Sequence, residues 1–119
     1  LGEVRLFNDG KMFVTRNEDG FLALSRWCTH MNGLVHWQPN HWQFHCPYHR
    51  ATFNRCGEST SHHPHDSLPP LRIHPLAIDG DGVINVDTDV VLVRKEHAAA
   101  DATPAEPGAA TASERFEAR

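Results

Sequence analysis

The sequence predicts an all-β fold, a small antiparallel sandwich or open barrel. Short runs of β-type residues are broken by turn chemistry every six to ten residues, the rhythm of small barrels and sandwiches. No segment keeps an amphipathic 3.6-residue period over a useful length. Asp-Gly pairs between alternating apolar runs add hairpin signals.

In chain order, "VRLF" ends at Asn8-Asp9-Gly10 and "KMFVTR" at Asn17-Glu18-Asp19-Gly20. "FLALS" leads towards Cys28. "HWQFH" precedes Cys46, and "ATFN" follows it after a short loop. "RIHPLAI" then meets "VINVD" across Asp79-Gly80-Asp81-Gly82. The stretch "GESTSHHPHDSLPPL" is too long and proline-rich for a simple turn and is expected to cover something. No internal repeat is present.

A chain of 119 residues is one domain by length. Its last part is built from Ala, Pro, Thr, Glu and Gly, with Phe116 the only large apolar side chain. Such a segment is not expected to bury enough surface to offset the entropy of ordering it. The expected division is therefore a folded domain over residues 1–95 and a flexible Ala/Pro-rich tail over 96–119. A core of roughly 95 residues is small for unaided stability.

The formal charge is −4, of which the tail supplies −3 through five acids and two bases. The rest has no basic excess, so no nucleic-acid partner is expected. No apolar run is long enough to span a bilayer. Membrane attachment is expected only through a segment upstream of Leu1.

The stretch "RWCTHMNGLVHWQPNHWQFHCPYHRATF" holds two of the three cysteines and five of the ten histidines. Its pattern is Cys28-x-His30, fifteen residues, then Cys46-x2-His49. Three cysteines make no disulfide framework, and a small His-rich core points to a metal as its staple. Zinc suits two thiolates and two imidazoles. One residue between Cys28 and His30 is tight, however, for two ligands on one ion. Side chains two apart on an extended strand point the same way, which lets them reach two metals a few ångströms apart. A binuclear iron–sulfur cluster, with both cysteines on one iron and both histidines on the other, answers that spacing. Mononuclear zinc remains the alternative.

Through "CTH" and "CPYH" the sequence resembles the Rieske family. The resemblance runs from Val4 to Asp87 and takes in Gly57-Glu58, the proline-bearing third loop and the closing "DGVINVD". It implies a Rieske-type fold with two cluster-binding hairpin loops and a [2Fe–2S] cluster as cofactor. Cys28 and Cys46 would bind the buried iron, and His30 and His49 the outer one. Electrons would leave through the histidine rings, with protein redox partners docking near His30 and His49. The implied function is one-electron transfer as a subunit or domain of a larger redox complex, quinol-oxidising complexes included. A soluble Rieske ferredoxin or small reductase subunit feeding an oxygenase is the second setting, and a zinc-stabilised interaction module the third. With no acid/base pair, nucleophile or substrate pocket legible, the chain reads as the electron-carrying component of an oxidoreductase without a catalytic site of its own.

The pattern departs from that of the quinol-oxidising members. Gly33 and Tyr48 stand where those members carry an extra, disulfide-forming cysteine in each loop. Ala51 and Phe53 replace a Ser and a Tyr that donate to the cluster sulfurs. Fewer donors imply a lower potential. Arg50 replaces a usual Gly, and its charge acts the other way.

Cys56 has no partner in the pattern and is expected to be structural. His62, His63, His65 and Asp66 resemble a two-His-one-carboxylate iron site, but a solvated, turn-rich loop is the expected reading. His36, His41 and His45, which alternate with Trp37, Trp42 and Phe44, are expected at strand-edge polar positions; the tryptophans are expected in the core, with shielding of the cluster from water as the alternative.

Overall fold

Val4–Phe7 (β1), Met12–Asn17 (β2) and Gly20–Ser25 (β3) form an antiparallel meander, as their alternating apolar residues predict. This computed structural model describes residues 3–7, 11–28, 33–47, 50–60, 68–111 and 117–118. Beyond the meander come His36–Gln38 (β4), Gln43–His45 (β5), Thr52–Phe53 (β6), Ile73–His74 (β7) and Leu76–Ile78 (β8). Ile84–Val86 (β9), Leu92–Val93 (β10) and Glu117–Ala118 (β11) complete the described strands. They form a six-stranded sheet of order β1-β2-β3-β7-β10-β11, a three-stranded sheet β4-β5-β6 and the hairpin β8-β9. The fold is all-β and antiparallel, as predicted.

The period of two along β2 and β3 gives their sheet two buried faces. Phe13, Leu22 and Leu24 face the main core with Phe44, Phe53, Leu71 and Ile73. Met12 and Ala23 face a second cluster with Leu76 and Ile78 of β8. Pro75 divides "RIHPLAI" into β7 and β8, because proline cannot donate to a ladder. In this way one apolar run serves two sheets. The β8-β9 turn is held by Asp79, whose Oδ1 accepts from the amides of Asp81 and Val83, each at 2.9 Å.

The expected tail is a correction. Residues 97–111 do not hang free but strap the sheets together. Phe21 and Thr103 exchange two backbone hydrogen bonds of 2.8 Å. Further on, Gly108 donates to Ile78 at 2.7 Å, and Ile78 donates to Ala109 at 2.9 Å, so the strap covers the edge of β8. Gly20 is required where it passes: a Cβ there would lie 1.9 Å from the Thr103 carbonyl oxygen. Composition failed here because the strap is held by backbone pairing and one buried ion pair rather than by large apolar side chains. Phe116 and the rest of 112–116 lie outside the described residues.

The ion pair joins Arg94 to Asp101, which sits on the single 3₁₀ turn Ala99–Asp101. The two side chains meet at 3.1 Å with no exposed surface on either. Arg94 also donates to the carbonyls of Leu71 at 3.0 Å and Cys56 at 2.7 Å. Its remaining contact is His97 Nδ1 at 3.0 Å. A guanidinium only donates, so His97 accepts there as a neutral imidazole. Burial first, and the Arg94 charge second, hold the His97 pKa below its usual 6.5.

A base whose folded-state pKa is depressed binds fewer protons than in the unfolded chain, so stability rises with pH through that window. The His97 contribution is complete above about pH 6.5 and is lost as the pH falls below it. Calorimetry between about pH 7 and pH 5 should therefore show a falling melting temperature, with a shallower slope in His97→Gln. Equal slopes would remove His97 from the account.

Candidate metal centre

Two loops carry the predicted ligands, and both are closed in the same manner. The amide of Cys28 donates to the Gly33 carbonyl at 2.8 Å, and that of Cys46 to the Ala51 carbonyl at 2.8 Å. Each cysteine thus opens a loop whose sixth residue returns to it. Behind the first, Trp27 pairs with Leu34, and Arg26 clasps Val35 through Val35 N–H to Arg26 O at 2.9 Å and Arg26 Nε to Val35 O at 2.8 Å. Behind the second, β5 and β6 pair His45 with Thr52 and Phe44 with Phe53.

Both cysteines lie inside the main core, Cys28 2% and Cys46 0% exposed, and both remain thiols rather than disulfides. A cysteine binds a metal as the thiolate, and a charge buried this deeply is tolerated only when it is paired or coordinates a metal. Two soft sulfur donors suit an iron–sulfur centre or zinc. The other two predicted ligands, His30 and His49, lie outside the described residues, as do Tyr48 and the His62, His63, His65 and Asp66 group. Among the described residues no three His, Cys, Asp or Glu side chains converge on a point.

Arg50 closes the second loop by donating its amide to the Cys46 carbonyl at 3.0 Å. Its φ is 60°, the left-handed region that a Cβ disfavours. The glycine usual in the resembled family would sit there without strain. Beside it, Ala51 and Phe53 are fully buried and offer no side-chain donor.

The third loop is anchored by Asn54. Its Oδ1 accepts from the amides of Cys56 at 2.9 Å and Glu58 at 3.0 Å, and its Nδ2 donates to Glu58. Gly57 follows with φ 83°, where a Cβ would lie 2.6 Å from an Arg94 nitrogen. Cys56 itself is half-buried, and Asn17 Nδ2 donates to its sulfur at 3.2 Å. Burial pushes its thiol pKa up, which disfavours the reactive thiolate.

The aromatic residues divide differently from expectation. Phe44 is fully buried against Phe13 at 4.8 Å, and Trp37 is half-buried against Phe44 at 5.0 Å. Trp27 and Trp42, by contrast, are 47% and 62% exposed. The hairpin turn between β4 and β5 puts Trp42 outside, at a left-handed φ of 51°. His36 and His41 are exposed and His45 half-buried, as polar positions should be.

A family model of the Rieske [2Fe-2S] domain matches residues 2–75. The chain belongs to the Rieske family. A Rieske-type [2Fe–2S] cluster is therefore its cofactor, and the two buried thiols fit that group. Two curated relatives are each the cytochrome b6-f complex iron-sulfur subunit. The one from Chlorobaculum thiosulfatiphilum is 35% identical over 66% of this chain and 41% of its own length. The one from Chlorobaculum tepidum is 35% identical over 50% of this chain and 33% of its own. This chain thus spans less than half the length of either. Among solved structures, the cyanobacterial plasma membrane Rieske protein PetC3 from Synechocystis PCC 6803 superimposes with a TM-score of 0.53. That match has 23% identity and covers 71% of this chain and 84% of the other, a likeness of fold. The Rieske match ends at residue 75, so β8, β9 and the strap lie beyond it.

Proposed function

We propose that the chain transfers single electrons as the cluster-bearing part of a larger redox complex of the quinol-oxidising kind. Cys28 and Cys46 would hold one iron of the cluster, and His30 and His49 the other. The observation that carries this is the pair of equivalent loops, each opened by a core-buried cysteine. When bound, the cluster supplies a one-electron redox couple. The chain's own residues hold and shield it: the β-pairs behind each loop fix the cysteines, and Phe44 and Phe53 exclude water beneath them. Protein partners dock near His30 and His49, through which the electron enters or leaves. No described helix is long and apolar enough to cross a membrane.

The relatives' membership of cytochrome complexes supports this setting. Gly33, standing where the quinol-oxidising members have a disulfide cysteine, favours the second reading of a soluble ferredoxin-like carrier. Affinity purification of the tagged chain from its own cells separates them. Co-purification with stoichiometric haem supports the complex. A haem-free chain that a soluble reductase reduces would replace it with the second reading.

The donor-poor loop also predicts a potential in the low half of the Rieske range, roughly −150 to +300 mV. Ala51→Ser should raise it. A hydrogen bond to a charged group contributes about 1.5–3 kcal/mol, which corresponds to roughly 60–130 mV for one electron. Phe53→Tyr should act in the same direction where its buried ring position admits the hydroxyl. Protein-film voltammetry reads all three proteins. A wild-type value near the top of the range would contradict the donor argument and turn attention to the Arg50 charge.

A further inference from the structure

β1 is the outermost strand of the six-stranded sheet, and among the described residues no strand pairs with its outer edge. Native edges are commonly blunted by lysine, proline, a bulge or a covering loop. β1 instead pairs with β2 without a bulge and leaves Leu6 and Phe7 47% and 43% exposed. Its charges are Glu3, just before the strand, and Arg5, which form an exposed ion pair with each other.

Register decides which backbone groups of β1 are free. Val4, Arg5, Leu6 and Phe7 lie opposite Thr15, Val14, Phe13 and Met12 of β2. Arg16 donates its amide to the Glu3 carbonyl at 3.0 Å. Glu3, and by alternation Arg5 and Phe7, therefore direct their amides and carbonyls at β2. Those of Val4 and Leu6 point outwards. The side chains sort in the same way. Glu3, Arg5 and Phe7 line one groove with Val14 and Ile84, whereas Val4 packs against the main core. The groove lies on the face of the sheet opposite the cysteines: Phe13 shares a core with Cys28 and Cys46, while Met12 and Val14 belong to the second cluster.

We propose that β1 pairs antiparallel with β1 of a second copy of this chain, about a two-fold axis at Val4, joining the two sheets edge to edge. An added strand must bond to Val4 and Leu6, so the axis falls at Val4, Arg5 or Leu6. An axis at Arg5 sets two arginines directly opposite each other, which repels. An axis at Leu6 sets Arg5 opposite the copy's Phe7 and Glu3 opposite a position beyond the end of β1. An axis at Val4 sets Glu3 opposite the copy's Arg5, and Arg5 opposite the copy's Glu3. Both are non-hydrogen-bonded positions, where side chains come closest. Acid and base then alternate along each strand and across the junction, with Glu3 flanked by Arg16 of its own β2 and by the copy's Arg5. A two-fold interface must be complementary to itself, and this charge pattern is, which favours a second copy over an unrelated strand.

Sedimentation velocity of the cluster-loaded chain at low ionic strength, from about 1 μM to about 1 mM, reads the association. The wild type should pass reversibly from monomer to dimer, and added salt should move it back. Arg5→Glu leaves only acids at the facing positions and Glu3→Arg only bases, so each alone should dimerise at least about tenfold more weakly. An equimolar mixture of the two should recover the dimer, because acid again faces base. A dimer through any other surface would not respond in this way. Both side chains are exposed, so each variant should keep the reduced-state EPR signal and near-UV circular dichroism of the wild type. Leu6→Pro removes an outward amide and leaves the bonds to β2 in place, and it should weaken the dimer with the charges intact. A wild type that stays monomeric throughout would leave the edge to a strand from another protein. That result, undiminished dimerisation of the single variants, or a mixture that stays monomeric would each overturn the proposal.

Discussion

Cutting the chain after Lys95 is expected to lower the melting temperature of the loaded protein by more than about 10 °C. The cut removes Asp101 and leaves the Arg94 guanidinium buried without its carboxylate partner. Breaking a buried pair from one side costs about 3–5 kcal/mol, because the remaining charge is uncompensated. For a domain of this size each kcal/mol is worth roughly 4–8 °C. Loss of the Phe21–Thr103 pairing and of the cover on β8 adds to it. Asp101→Ala should reproduce much of the loss with the rest of the strap in place. Differential scanning calorimetry on the three proteins is the test. A truncated domain that melts with the full chain would show that residues 97–111 contribute nothing to the fold.

The larger effect is expected at the cysteines. Cys28→Ser and Cys46→Ser should each give a colourless protein that has lost its near-UV circular dichroism as well as its iron. Structural zinc in zinc-finger peptides contributes an apparent free energy of about 10–16 kcal/mol, so the loss of a metal group can match the typical total stability of a domain, about 5–15 kcal/mol. Both sulfurs also sit in the main core, where a hydroxyl in their place would need a partner. Cys56→Ser is the control, since Asn17 can donate to serine oxygen as it does to the sulfur. It should keep full iron content. A colourless Cys28→Ser protein that folds and melts as before would uncouple the cluster from the fold.

Much of this was legible in the sequence, for reasons that particular residues make plain. β2 and β3 carry short β-type apolar runs bounded by turn residues, and their register buries Phe13, Leu22 and Leu24 on one face. The two loops opened by Cys28 and Cys46 were legible because paired Cys and His at this spacing stand out in the chain. The strap was not. Its hold comes from a single carboxylate, Asp101, whose partner Arg94 precedes the expected boundary, and from a glycine more than eighty residues earlier, Gly20, that leaves room for it. Neither relation leaves a mark on local composition. The charged run Arg94, His97, Asp101 was the available signal, since an Arg and an Asp seven apart can meet across a short turn. β4 was legible only through the strand-edge reading of His36, because three residues beside a turn carry little periodicity. The exposure of Trp42 depends on a left-handed backbone that no tryptophan advertises.

Pulsed EPR of the reduced protein tests the central claim most directly, using a sample labelled with ¹⁵N only at histidine. The account predicts a reduced Rieske-type signal with hyperfine coupling to two directly bound imidazole nitrogens, one of which is lost together with the signal's native form in His30→Ala and in His49→Ala. A signal without directly bound histidine nitrogen, or a protein that carries one zinc and no signal, would contradict it.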